Sequence, residues 1–263
     1  MKKLEELKRE DVEDIEFLLT DIDDTLTKDG KLLPEAYTGI WDVTEAGIAV
    51  IPVTGRSAGW CDMIMTQWPV RAVIGENGAF AFIHQGDTYR IVYHPSTGGD
   101  QEGEKLRKIE AEVVKKIKGA KPARDQFSRL FDLAIDYAET EPFLSLEQAS
   151  EIQKISESFG ASAKISSIHV NIWFGDYDKL SMAKHLFFRQ WNLDEERIVQ
   201  KVIFCGDSPN DEPMFRYFPL SIGVGNISKY LDYIHTPPSF ITEQLYGAGF
   251  AELSKRIIYL KNL

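Results

Sequence analysis

Apolar positions along the chain form short continuous runs that alternate with longer stretches in which they recur every three or four residues. The run "IEFLLTD" (15–21) has strand length and ends in a carboxylate, "LPEAYTGIWDVTEAG" (33–47) has helical spacing with Gly47 near its end, and "IAVIPVTG" (48–55) is a second buried strand. A helical "AGWCDMIMTQW" (58–68) and the strand "VRAVIG" (70–75) follow. The rhythm resumes after Lys179, with the helix "KLSMAKHLFFRQW", the strand "KVIFCGD", the helix "DEPMFRYF", the strand "LSIGVGN" and a closing helix "GAGFAELSKRIIYLK". Strands alternating with helices in this way predict one doubly wound parallel sheet, an α/β core with helices on both faces.

Between about Ala81 and Phe174 the pattern changes. "AFAFIHQGDTYRIVYH" reads as a hairpin turning at Gly86-Asp87, and "QEGEKLRKIEAEVVKKIKG" as an exposed amphipathic helix. The strand "RLFDLAIDYAET", the helix "LSLEQASEIQKISESFG" and the strand-like "SAKISS" and "IHVNIWF" complete a separate α+β module. The expected division is a core over 1–80 and 175–263 with an inserted cap over 81–174. The glycine-rich 95–103, "PSTGGDQEG", is expected to be a mobile loop.

Composition narrows the class. Hydrophobic residues at 43% and charged residues at 27% suit a folded protein with a sizeable core. A formal charge of −11 without a basic run argues against nucleic acid as a partner. The N-terminus has no apolar signal core and no stretch is long enough to span a bilayer, so the expectation is a cytoplasmic protein with no membrane partner. Cys61 and Cys205 lack metal-ligand spacing and read as reduced. The sequence leaves the oligomeric state open.

Candidate chemistry gathers at the strand ends. Three carboxylates in four residues, Asp21, Asp23 and Asp24, raise one another's pKa unless a cation or a chemical task explains them. In an extended chain end Asp21 and Asp23 face one side and Asp24 the other, which leaves Asp24 as a solvated acid or a local hydrogen-bond acceptor. "VIPVTGR" ends in Thr54 and Gly55, a hydroxyl and an unencumbered amide, and "VIFCGDSPND" in Asp207 with Asp211 four residues on. Carboxylates at 21, 207 and 211 suit a hard cation such as Mg²⁺, with Thr54 and Lys179 holding an anion beside it. The five histidines show no paired ligand spacing. His169 and Asn171, on one face of a cap strand with Trp173, are candidates for contacting a substrate, and Arg124 and Arg129 either meet a second substrate anion or face water.

"DIDDT", "VTGR", "DKLSMAKHL" and "GDSPND", in that order, resemble the four motifs of the haloacid dehalogenase superfamily of phosphotransferases, over a core from about Phe17 to the C-terminus. The insertion after the second motif and "ENGAF" (76–80) are similar to subfamily IIB, which includes sucrose-phosphate phosphatase and mannosyl-phosphoglycerate phosphatase. The resemblance implies a Rossmann-like core and a Mg²⁺-dependent phosphatase acting on a small phosphorylated metabolite, such as a sugar phosphate. It makes Asp21 the nucleophile that becomes an aspartyl-phosphate and Asp23 the general acid and base. It implies Mg²⁺ held by Asp21, the carbonyl of Asp23 and Asp207 with Asp211 in support, and phosphate held by Thr54, Gly55, Lys179 and Asn210. Leu180 departs from the glycine usual after the lysine, which leaves Lys184 as a substitute. A phosphomutase, like the eukaryotic phosphomannomutases with a similar cap, and a binding protein on the same scaffold are the alternatives.

Overall fold

A computed structural model of the chain describes residues 1–98 and 101–262. Its centre is a six-stranded parallel sheet in the order Lys2–Lys3, Phe240–Ile241, Ser221–Gly223, Val202–Gly206, Phe17–Thr20, Ala49–Pro52. Alternation along Phe17–Thr20 sends Leu18 into one apolar layer, with the helices Pro34–Glu45, Ala58–Gln67 and Tyr246–Lys261, and sends Phe17 and Leu19 into the other, with Lys179–Trp191 and Glu212–Tyr217. A strand covered on both faces must be apolar at every position, which accounts for the uninterrupted run in the sequence. The doubly wound α/β core is as predicted.

The first long strand lies between Ala49–Pro52 and Val202–Gly206, so the chain winds away from it in both directions. Such a switch point leaves a crevice at the carboxyl ends of the strands, where ligands bind. Ala72–Gly75 lies beside Ala49–Pro52, joined by a parallel bridge from Val53 to Ile74 and by the Arg71 amide, which donates to Val50 O at 2.9 Å. Pro52 has no N–H to give on that side, which leaves a gap in the ladder there, while the other edge of Ala72–Gly75 pairs with the hairpin that follows.

That hairpin is a correction to the expected division. Phe80–Gln85 pairs antiparallel with Ala72–Gly75 and with Thr88–Tyr93. Phe80 and Phe82 lie in one core layer, Ala81 and Ile83 in the other, so the boundary expected at Ala81 falls inside a strand of the core. The loop expected over 95–103 falls partly outside the described residues, and the helix after it begins at Gln101.

The cap is a four-stranded antiparallel sheet in the order Ser162–Ile165, His169–Trp173, Asp132–Asp136, Lys121–Pro122, with the helices Gln101–Lys116 and Leu146–Ser158 on one face. Leu133, Ile135, Val170 and Ile172 point into its apolar cluster with Ile109, Val113 and Ile152. The alternate positions, Asp132, Asp136, His169 and Asn171, are buried and polar, which the helix-covered face cannot accept, and they lie on the other side. No helix among the described residues is long and apolar enough to cross a membrane.

The segment 76–78, where the second core motif gives way to the hairpin, has three successive left-handed residues, Glu76, Asn77 and Gly78, with φ of 44°, 55° and 106°. A Cβ on Gly78 would stand 2.1 Å from the carbonyl oxygen of Asp178, at the start of the helix Lys179–Trp191. Gly78→Ala is therefore expected to lower stability by more than about 2 kcal/mol in denaturant unfolding, since it meets backbone and adopts a disfavoured φ at once. A loss below about 0.5 kcal/mol would show that the two segments separate easily.

Candidate active site

Asp21 is the first residue past the strand Phe17–Thr20, and its amide donates to Cys205 O across the sheet at 2.9 Å. Asp207 follows Val202–Gly206 in the same way. It is 0% exposed and accepts hydrogen bonds from Thr25 Oγ1 and Asn226 Nδ2, both at 3.2 Å. Asp211, in the short helical turn Pro209–Asp211, folds back so that its Oδ2 accepts from the Asp207 amide at 3.2 Å. Carboxylate oxygens of Asp21, Asp207 and Asp211 come within 4.8 Å of one another, all in buried side chains. Asp23 is not in this group, because its carboxylate turns to Arg56.

Burial pushes the Asp21 carboxyl up to about 8, against the pull of Lys179, and the like charges of Asp211 and Asp23 add to the rise. Burial also raises Asp207 well above the ordinary carboxylate range, with Asp21 and Asp211 contributing. Lys179 Nζ donates to Asp21 Oδ1 at 2.6 Å and to Asp211 Oδ1 at 2.9 Å. Burial works against the lysine's charge, but these two carboxylates raise its pKa and keep it an ammonium ion. Lys184, the proposed substitute, instead pairs with Glu195 on the surface. One ammonium faces three carboxylates, an electrostatic deficit that a divalent cation would fill.

Thr54 and Gly55 sit at the end of Ala49–Pro52, level with Asp21. The Thr54 amide donates to Ile74 O at 2.9 Å, and its hydroxyl accepts from the Arg56 amide at 3.0 Å, which holds the loop as a tight turn. Asp21, Asp23, Gly55, Arg56 and Asn210 line a cavity of about 20 Å³ roofed by His169 and Asn171 of the cap. It adjoins a chamber of about 240 Å³ that Lys179, Asn210 and Asn77 border. A larger cavity, about 690 Å³, lies beside Lys2 and Phe240 at the other edge of the sheet and is lined by none of these groups. The structure thus brings Asp21, Asp23, Thr54, Gly55, Lys179, Asp207, Asn210 and Asp211 to one crevice, with His169 and Asn171 above it.

Several residues that shape this crevice carried no assigned role in the sequence. Arg56 Nε and Nη2 grip the Asp23 carboxylate at 2.7–3.1 Å, while Nη1 donates to Glu139 Oε1 of the cap at 2.8 Å. Glu139 Oε2 lies 3.0 Å from His169 Nε2. His169, in the roof of the small cavity, is thus held by Glu139. Arg129, expected either to meet an anion or to face water, is fully buried; it pairs with Asp125 and Asp132 and donates to Gly55 O at 3.0 Å. Glu76 accepts from the amides of Ala58, Leu130 and Phe131 at 2.7–3.1 Å, tying the segment before the cap strand Asp132–Asp136 to the core. Asp24 is half-buried with φ 59°, and its carbonyl accepts from Asn226 at 2.9 Å, so it is not simply a solvated acid. Arg56 and Glu76 lay in quoted motifs, but Glu139 and Asn226 had no local signal.

A family model described as haloacid dehalogenase-like hydrolase matches residues 18–97, which hold the first two motifs. No curated protein sequence matches the chain. Among solved structures, a protein of Thermoplasma acidophilum is similar at 20% identity and TM-score 0.72, covering 94% of this chain and 99% of that one. The sucrose-phosphatase of Synechocystis sp., in complex with sucrose and phosphate, is similar at 15% identity and TM-score 0.63, with coverage of 93% and 98%. A sugar phosphatase of haloacid dehalogenase subclass IIB is similar at 13% identity and TM-score 0.60, with coverage of 94% and 100%. The resemblance read from the motifs is borne out, and the chain has the haloacid dehalogenase fold with its inserted cap.

The Glu139 link has a pH signature. Its hydrogen bond to His169, with the Arg56 guanidinium, holds its carboxyl at about 2, below the 4.5 of a free glutamate, despite the opposing effect of burial. A depressed carboxyl adds stability above about pH 4.5 that is lost as pH falls towards 2. Wild type is expected to lose more stability across that range than Glu139→Gln, measured as unfolding midpoints at a series of pH values. Parallel curves for the two proteins would mean that the link adds nothing to stability.

Proposed function

We propose that the protein is a Mg²⁺-dependent phosphatase that hydrolyses a small phosphate monoester, a sugar phosphate, through an aspartyl-phosphate intermediate. The observation that carries this reading is the meeting of Asp21, Asp207 and Asp211 with Lys179 and the Thr54–Gly55 turn at the switch point of the sheet. The two similar sugar phosphatases support the substrate class. The buried, unbalanced acid cluster supports the metal, because three hard oxygen donors held together by burial, with Asp21 and Asp207 raised in pKa, suit a divalent cation.

In this reading Asp21, Asp207 and Asp211 would hold Mg²⁺, with the Asp23 carbonyl as a further ligand. When bound, the ion favours the ionised carboxylate and offsets phosphoryl charge. Asp21 Oδ attacks phosphorus, and the bond to the leaving oxygen breaks. Asp23 gives that oxygen a proton, then takes one from the water that cleaves the aspartyl-phosphate, which restores both carboxyl groups to their starting states. Arg56 holds the Asp23 carboxylate in place. Lys179, Thr54, the Gly55 amide and Asn210 bind the phosphoryl oxygens and balance their charge in the transition state.

The cap over 81–174, less the core hairpin, closes the crevice and excludes water, with the chain entering it after Tyr93 and leaving it near Gly175. A small phosphorylated metabolite is the partner. The two free and fully buried thiols, Cys61 and Cys205, suit the reducing cytoplasm in which we place the protein.

Phosphate release from a panel of sugar phosphates and simple monoesters, with Mg²⁺ or with chelator, tests the reading. Wild type is expected to turn over at least one ester only with Mg²⁺, and Asp21→Asn to lower kcat by at least about 10³-fold. No release from any ester by the folded protein would overturn hydrolysis in favour of a mutase or a binding role. Separately, Mg²⁺ is expected to raise the thermal midpoint of wild type but not of Asp207→Asn. An equal rise in both would place the ion elsewhere.

A further inference from the structure

Arg56 stands on the seam between core and cap with a carboxylate on each side. It is buried, its Nε and Nη2 hold Asp23 at 2.7–3.1 Å, and its Nη1 donates to Glu139 Oε1 at 2.8 Å. Arg56 makes every side-chain hydrogen bond that the Asp23 carboxylate has among the described residues. An arginine stem is long and flexible, so where the pair comes to rest depends on what else touches the guanidinium. Two contacts do so: the Trp60 ring of the core, 5.2 Å from the guanidinium carbon, and Glu139 at its free end.

The cap is built to present Glu139 at this point. Asp136, at the end of the strand Asp132–Asp136, accepts from the Glu139 amide at 2.9 Å and the Thr140 amide at 3.3 Å, so the loop that follows folds back on the strand end. Asp136 pairs across the sheet with His169, whose Nε2 lies 3.0 Å from Glu139 Oε2. A carboxylate only accepts, so that nitrogen carries the proton. Each Glu139 oxygen thus has its own donor, one in the core and one in the cap. A contact that merely closed the seam could use any cation of the core. Here the cation is the group that holds the general acid and base of the proposed reaction.

We infer that Glu139 is a positioning residue for Asp23: through Arg56 it aims the Asp23 carboxyl group at the leaving oxygen when the cap lies over the crevice, so that proton transfer depends on a residue of the cap. The inference rests on the phosphatase reading for the role of Asp23. In that reading Asp23 gives its proton to the leaving oxygen as the P–O bond breaks and regains one from the attacking water, and a displacement of about 1 Å impairs both transfers. Glu139 and His169 belong to one sheet and its loop, so they move together. Beneath a displaced cap, Asp23 is left to Arg56 alone. An ester whose leaving group departs without a proton is cleaved in either state, whereas one that needs the proton is cleaved efficiently only with Glu139 in place.

The test is kcat/KM with Mg²⁺ for phenyl phosphate and p-nitrophenyl phosphate, esters of similar shape whose leaving oxygens differ in their need for a proton. Glu139→Gln is expected to lower kcat/KM at least about tenfold for phenyl phosphate and less than about threefold for p-nitrophenyl phosphate. Glu139→Asp, which keeps the charge but falls short of Arg56, should show the same selective loss. Asp23→Asn should show a larger one, and adding Glu139→Gln to it should cost no more than about twofold further, because the two residues act as a unit. The double variant is read on every ester that wild type cleaves, sugar phosphates included. Equal losses for both esters, or costs that multiply in the double variant, would overturn the inference and leave the phosphatase reading standing. So would a wild type that cleaves only the p-nitrophenyl ester, since it has no working proton donor for Glu139 to aim. A folded wild type that cleaves no ester at all refutes the phosphatase reading and the inference with it.

Discussion

Three carboxylates buried within 4.8 Å of one another, with a single lysine bridging two of them, are the feature on which the arrangement of the core depends. Such a cluster costs stability unless its charges are compensated and its remaining lone pairs are satisfied. Neighbouring elements supply the hydrogen bonds: Thr25 and Asn226 to Asp207, and the Asp207 amide to Asp211. The surrounding sheet supplies rigidity, because strands apolar on both faces hold the ends from which Asp21 and Asp207 project.

Charge also ties the cap to the core. Arg56 joins Asp23 to Glu139, Arg129 joins Asp125 and Asp132 to the Gly55 carbonyl, and Glu76 receives the amides of Leu130 and Phe131 within the cap. Burial pushes the Glu76 carboxyl up to about 8, Asp132 adds to this, and the donated amides and Arg129 oppose it. Buried pairs of this kind contribute less to net stability than to the selection of one arrangement, since a displaced cap would leave each charge without its partner. The same contacts bring Asn171 over Gly55, so one closed geometry both completes the ion pairs and builds the roof of the crevice.

Much of the core was legible because its signals are local. An apolar run that ends in Asp21, another that ends in Asp207, and a Thr54–Gly55 turn between them place those groups at one edge of a parallel sheet as soon as the strands are recognised. Alternation in 168–174 likewise put His169 and Asn171 on one face, with Val170 and Ile172 on the other. The hairpin 80–93 was assigned to the wrong side of the boundary because its turn signal is equally strong in either unit. What decides its place is that both faces of Phe80–Gln85 are covered by core residues, which a turn does not report.

The sequence alone determined the alternation of strands and helices, the inserted module, the strand-end carboxylates and the four motifs, because each depends on residues close together in the chain. Tertiary structure alone decided that Arg56 would meet Glu139, 83 positions away, that Arg129 would turn inward to Gly55, and that Asn171 would come to lie over Gly55. Periodicity tells which side of an element is buried. It does not tell which distant segment covers that side, and that choice is made where the cap meets the core, through buried ion pairs and through Trp173 and Phe131 packed into a core apolar cluster.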